Sequence, residues 1–348
     1  MNSRERQLAA IRHETPDRIP VDVITIETRP EIAGLLGIAE EDVYDTLGID
    51  GRILPSPYIG PLPAAIGPFK LTQWGTADGG PYGQTAANPY PLADATTIAE
   101  IERYPWPDAA LYDYETAAQT AVEWSRRYAI RGPGWMPVFW RACELFGMEE
   151  AMWKMKMQPA VFEAAVEHLF EHIYDRCRRL VEACGAHLDI LMIEDDFASQ
   201  QGLLISPGDW RRFLKPRYAR LFEIGKRAGK FVWFHSCGNI TSVLPDLIDI
   251  GMDVWETVQL HTLPVSPAQL KREYGRSLTF FGGINTQRLP FISPVEVRAE
   301  VQQVIEILGA GGGYICGPDH HIKPDVPAEN TVALFHTALA FRQPGHTR

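Results

Sequence analysis

His235-Ser236-Cys237-Gly238-Asn239 sets an imidazole and a thiol two residues apart, at the end of the apolar run Phe231-Val232-Trp233-Phe234. Alternate side chains of a strand share a face, so His235 and Cys237 are expected to point the same way where the strand enters a loop. Imidazole and thiolate are preferred zinc donors, and such a pair fills two corners of a tetrahedron if other segments supply the rest. Two segments have the chemistry to do so. Glu194-Asp195-Asp196 follows the run Ile190-Leu191-Met192-Ile193, and three successive carboxylates call for a proton or a cation. Cys316-Gly317-Pro318-Asp319-His320-His321 offers a thiol and two imidazoles within one short stretch. His235, Cys237 and either Cys316 or His320, with one position open, make the donor set of a catalytic zinc.

These residues need a scaffold that gathers distant segments. A helix is predicted over about 3–12, then a strand over Val21–Ile26. From about 50 to 110 the chain is rich in Pro and Gly and reads as irregular, with a hairpin or two lying over a site. Helices over about 113–127, 159–184 and 206–228 then alternate with apolar runs at 129–132, 136–140, 187–193 and 230–235. Beyond these come helices near 241–250, 267–274 and from 293, and strands at 254–255, 277–281 and 313–316. Ser293 and Glu296 form a capping box. Sustained alternation predicts a parallel sheet, and the number of units favours a closed (β/α)8 TIM barrel, α/β in class, as one domain over 1–348. Reacting residues of such barrels sit at the C-terminal ends of strands, where all three segments fall.

The chain has 348 residues and a net charge of -11, which argues against a nucleic acid or an anionic membrane as partner. With no secretory or membrane-spanning apolar segment, the expected location is the cytoplasm. Five cysteines, an odd number, are scattered without a disulfide pattern. Cys143, Cys177 and Cys184 lie in helical patterns and read as core, His172 and His187 as ordinary structural histidines, and His261 as a loop residue. Gly309-Ala310-Gly311-Gly312-Gly313 precedes a strand and reads as a helix end and turn. Gly282-Gly283-Ile284-Asn285 sits where barrels often hold phosphate, and glycine there permits close approach of a ligand.

Taken together, these motifs resemble the uroporphyrinogen decarboxylase superfamily along nearly the whole chain. The resemblance is carried by Arg4-Glu5-Arg6, Arg12 through Pro20, Asp195-Asp196 with Gln200 and Ser206-Pro207, and His235-Ser236-Cys237-Gly238. It continues through Gln259, Phe281 through Asn285, and Gly313 through Glu329-Asn330. It implies the same barrel fold, with Asn239, Gln259, Gly283 and Asn285 as substrate-binding residues and a homodimer as the oligomer. The porphyrinogen decarboxylases carry an N-terminal Met-Arg-Gln-Ala-Gly-Arg motif that is missing here. Between Asp22 and Pro57 the basic residues are Arg29 and Arg52 alone, which would leave a tetrapyrrole without counter-charges.

The chain is more similar to the superfamily's zinc-dependent corrinoid methyltransferases, which bind zinc through an H-x-C pair and a distant Cys. Where those have Pro-Gly-Cys-Gly, this chain reads Pro318-Asp319-His320-His321, so His320 takes the third position while Cys316 lies four residues earlier. The resemblance implies Zn2+ as cofactor and a cobamide of methylcobalamin type on a partner corrinoid protein. The methyl donor or acceptor is then a small thiol or methoxylated compound, with Glu194, Asp195 or Asp196 as fourth ligand or base. Exchange of a ligand thiolate for imidazole hardens the site and tips the expectation toward O-demethylation. The alternatives are a metal-free decarboxylase or lyase on a small acid using Asp196, and a cobamide- or tetrapyrrole-binding protein without turnover.

Overall fold

Short apolar runs bounded by Gly, Pro or carboxylates form the strands. The computed structural model describes residues 1–67, 70–77 and 90–341. Among these, nine strands follow in order: β1 (Gly51–Ile53), β2 (Ala129–Gly132), β3 (Ile190–Glu194), β4 (Ala198–Ser199), β5 (Gly202–Leu203), β6 (Phe231–His235), β7 (Val254–Val258), β8 (Thr279–Ile284) and β9 (Tyr314–Pro318). Seven of them form one curled parallel sheet in the order β1-β2-β3-β6-β7-β8-β9, while β4 and β5 make a small antiparallel hairpin. The fold is α/β, as expected.

The strand expected over Val21–Ile26 is reduced to two isolated bridges, Val21 to Cys316 and Ile26 to Ile322. The Asp22 side chain explains the loss. It accepts the Val23 N–H at 2.7 Å, and its partner Arg131 donates to the Val23 carbonyl at 3.2 Å, so this backbone is unavailable to a ladder. The segment still bonds to both edges of the sheet. Asp22 N donates to Cys316 O at 3.0 Å, and Asp50 N, just before β1, donates to Val21 O at 2.8 Å. Gly317 permits this, since a Cβ there would collide with the Asp22 carbonyl.

Period-two alternation divides the strand residues between two cores. Ile190, Met192, Trp233, Val254, Phe281 and Ile315 pack inside the curl with Leu8, Ala10 and Ile11 of the helix Ser3–Ile11, which plugs the N-terminal end. Leu191, Ile193, Val232, Phe234, Trp255, Phe280 and Cys316 face the surrounding helices. The long helix Pro159–Cys184 and the capping box at Ser293 and Glu296 match the sequence reading. The helix expected over 206–228 is two, Pro207–Phe213 and Lys215–Arg227, because Pro216 has no N–H to continue the first. The run 136–140 is not a strand, since the helix Phe139–Phe146 starts within it.

The Pro/Gly-rich region holds β1, the short helix Ile98–Glu102 and a Leu71–Ala77 bridge; residues 68–69 and 78–89 lie outside the described residues. No described helix is long and apolar enough to cross a membrane.

Candidate metal centre

At the C-terminal end of β6 the strand register carries His235 and Cys237 to one side, and β3 delivers Asp196 opposite them. Cys237 Sγ lies 3.6 Å from His235 Nε2, and Asp196 Oδ1 lies 3.7 Å from the same nitrogen. The three donor atoms fall within 4.8 Å of one another, the one such His/Cys/carboxylate group among the described residues. Zinc–sulfur and zinc–nitrogen bonds of about 2.3 and about 2.0 Å at a tetrahedral angle separate their donors by about 3.5 Å. The nitrogen–sulfur distance here matches that edge, so the donor set fits a tetrahedral ion.

The imidazole is aimed by its other nitrogen. Glu256, fully buried on β7 in register with His235, takes His235 Nδ1 at 3.1 Å, and its second oxygen accepts the Trp233 indole N–H. The carboxylate accepts from Nδ1, which turns Nε2, where a bound metal would take the place of a proton, toward Cys237 and Asp196. A carboxylate behind a ligating histidine is the usual means of fixing ring and tautomer.

The thiol loop is braced as well. Asp196 Oδ1 accepts the Cys237 N–H at 2.7 Å, and Gln259 Oε1 accepts the Gly238 N–H at 2.8 Å. Gly238 has φ +82°, and a Cβ there would strike the Ser199 backbone of the β4–β5 hairpin. Burial pulls the His235 pKa down, but its bonds to Cys237 and Glu256 outweigh this and hold it well above the ordinary imidazole range. Burial and the Asp196 charge push the Cys237 thiol up. The cluster is therefore rich in negative charge and favours a cation.

The three consecutive carboxylates diverge, as alternation along an extended chain requires. Glu194 turns inward and its Oε2 has no hydrogen-bond partner among the described residues. Burial raises it to about 7, with His235 opposing and Glu256 and Asp196 adding to the effect. Asp195 turns outward to the start of the helix Phe139–Phe146. It accepts N–H groups of Val138, Phe139 and Trp140 at 2.9, 2.6 and 2.9 Å and the Tyr218 hydroxyl at 2.6 Å. These four bonds hold Asp195 at the helix start and away from the His/Cys pair. Asp196 alone reaches the His/Cys pair.

Cys316 is not brought to the cluster. It lies one residue out of phase with the inward-facing Ile315, packs against the helices, and burial raises its thiol to about 12. His320 is not among the clustered donors either. It is half-buried on the wall of the adjoining cleft, where burial and the nearby His321 and His235 push its pKa down to about 3.

That cleft, of about 430 Å³, is lined by Cys237, Gly238, Gln259, Thr286 and His320 among others. Of the residues expected to bind substrate, Gln259 lines it. Asn239 and Asn285 instead close local turns, accepting the N–H of Thr241 at 3.1 Å and of Gln287 at 2.9 Å. Gly283 faces outward, where a Cβ would meet Val304.

Sequence reasoning missed Glu256, although a carboxylate in phase with inward-facing Val254 was a usable signal. It also missed that His261 Nδ1 lies 3.4 Å from Oδ2 of buried Asp319. Cys143, Cys177 and Cys184 are core residues as read, and all five cysteines are free.

With this geometry in hand, the uroporphyrinogen decarboxylase (URO-D) family matches residues 2–341, and the chain belongs to that family. Uroporphyrinogen decarboxylases from two strains of Thermus thermophilus are each 31% identical over 193 residues, 55% of this chain and 50% of theirs. The chain thus matches about half the length of these curated relatives. A solved methyltransferase from Methanosarcina mazei superposes with a TM-score of 0.65 at 22% identity, covering 97% of this chain and 98% of that one. At that identity the likeness is one of fold.

Proposed function

We propose that this protein is a zinc-dependent methyltransferase that exchanges a methyl group between a small substrate and a corrinoid carried by a partner protein. The observation that carries the reading is the His235–Cys237–Asp196 cluster, at tetrahedral donor spacing and backed by Glu256. Zinc held there would act as a Lewis acid toward a thiol or an ether oxygen.

The chain's own residues supply the rest. His235 is oriented by Glu256, Cys237 and Asp196 provide negative charge, and Glu194 Oε2 can hold or release a proton beside them. One sulfur with one nitrogen and one oxygen donor is a harder set than a dithiolate site, which favours an oxygen ligand and hence demethylation of a methoxylated compound. We also read the sheet as closed through residues 20–22 into a (β/α)8 barrel, with a cytoplasmic homodimer as the working form.

A metal-free decarboxylase or lyase is the competing reading, supported by the curated relatives. Against its porphyrin form, Arg4, Arg6, Arg18, Arg29 and Arg52 are all paired with the chain's own carboxylates. A binding protein without turnover is the remaining alternative.

Metal analysis after chelator-free purification should give about one zinc per chain, and under roughly a tenth of an equivalent would reject the zinc reading. Incubation with methylcobalamin and a panel of thiols and methoxyarenes should change the cobalt spectrum with at least one partner. No change with any would leave the lyase or binding reading in front.

A further inference from the structure

A groove of about 600 Å³ runs over the outer helical layer, between the helices Arg29–Leu36, Pro294–Leu308 and Ala328–Ala340. The last of these helices is apolar on more than one side. Leu334, Phe335 and Ala338 are buried in the core, while Val332 and Ala333 line the groove together with Leu35 and Phe341. A helix apolar beyond its inward face has more surface to cover than its own core covers.

The end of the groove marked by Pro294 and Glu329 carries a projecting ring. Phe291, three residues before Pro294, is 84% exposed. Its loop is tied down on both sides of it: Asn330 Nδ2 donates to Leu289 O and to Ile292 O, each at 2.7 Å, and Phe291 N donates to Arg288 O at 2.9 Å. A braced loop thus holds a large apolar side chain in water beside an apolar hollow, and such a combination marks a contact surface.

The charges on this face say what makes the contact. Arg298 and Glu329 both line the groove, on two different helices, and neither forms an ion pair among the described residues. One face therefore carries a knob and a hollow, an unanswered cation and an unanswered anion. Each feature finds its complement on the same face. A two-fold contact between identical chains requires this, because residue i meets residue j while j meets i. A different protein would have to bring the matching set itself, whereas a second copy already has it.

We propose that a second copy of this chain docks on this face, with Phe291 of each chain seated in the groove of the other and Arg298 paired with Glu329 of the partner subunit. The proposal deepens the homodimer reading by naming its surface, and it is independent of zinc and of methyl transfer. Pro290, next to Phe291, lines the cleft beside the metal centre, so docking also fixes that wall of the cleft.

The test is sedimentation equilibrium of the full chain from about 0.1 to about 100 micromolar, with circular dichroism confirming that each variant is folded. The unaltered protein should be a dimer over most of that range. Phe291→Ser, which counts twice in a two-fold contact, should weaken association at least about hundredfold. Arg298→Glu and Glu329→Arg should each weaken it about tenfold or more, and the two together should restore it.

A monomer throughout the range overturns the proposal and the homodimer reading together, and leaves the groove to another occupant. A dimer that Phe291→Ser and both charge reversals leave unchanged keeps the homodimer and sinks this surface. A double reversal no tighter than either single one also overturns the proposed pairing, since a merely destabilised chain would not be rescued by a second change.

Discussion

The two ends of the sheet use the same charged residue types to opposite effect. At the N-terminal end each buried carboxylate is answered by arginine. Asp189 takes Arg4 Nη2 at 2.7 Å, Asp50 takes Arg6 at 2.7 Å and Arg18 at 2.8 Å, and Asp22 takes Arg131. At the C-terminal end no arginine answers Glu194 or Asp319 among the described residues, Glu194 Oε2 accepts no hydrogen bond among them, and His235, Cys237 and Asp196 crowd one point. An unpaired buried polar group costs stability, so it persists where something other than stability retains it. The contrast marks the first end as framework and the second as the place where ligands complete the structure, in line with the general anatomy of parallel barrels.

The comparison can be broken most sharply at the framework end. Asp50→Ala strips the partner from two arginines and should cost about 3–5 kcal/mol in urea unfolding. A loss under about 1 kcal/mol would mean that these pairs are not what holds the closed end together.

Next in size is a pH effect at the open end. His172 donates Nδ1–H to Pro107 O at 2.9 Å and is driven down to about 4 by burial. Its folded pKa lies below the unfolded value near 6.5, so the unfolded chain takes up the proton first. The stability it contributes is full above about pH 6.5, declines as pH falls toward about 4 and is constant below. Against His172→Gln, the unaltered protein should lose on the order of 3 kcal/mol more across that window. Parallel curves for the two proteins would show that His172 is not held neutral.

Smaller again, Glu256→Gln should weaken zinc binding about 10- to 100-fold in competition with a chromophoric chelator. Unchanged affinity would remove Glu256 from the centre. The smallest effect expected is for Ser293→Ala, which deletes an exposed cap on the mouth side and should cost about 1 kcal/mol in thermal unfolding. A change in zinc content there would blur the distinction between structure and chemistry at this end.

Much of the fold was legible. Helix 159–184, the cap at Ser293 and the strands around Ile190, Trp233 and Phe280 follow from periodicity and local hydrogen bonding. The missed elements have weak local signals: β1 is three residues long, and the helices Arg29–Leu36 and Ala328–Ala340 were not read at all. The helix boundary at Leu214 was available from Pro216 and went unused. Of the candidate site, the His235–Cys237 pair was visible because two donors two residues apart share a face. Asp196, expected as a possible fourth ligand, is the donor gathered beside the pair, while Cys316 and His320 lie outside that group, although residue chemistry made all three plausible. Strand phase alone would have removed Cys316, because Ile315 and Cys316 cannot both face inward.

By itself, then, the sequence determined donor types, element types and the face each strand residue shows, all consequences of contacts within a few residues. Only the tertiary structure decided that Asp196 joins His235 and Cys237, that Asp195 is held by a helix start and that Glu256 holds the imidazole. Those outcomes depend on which strands lie side by side and how far the sheet curls. Such distances link residues far apart in the chain, and no local preference encodes them.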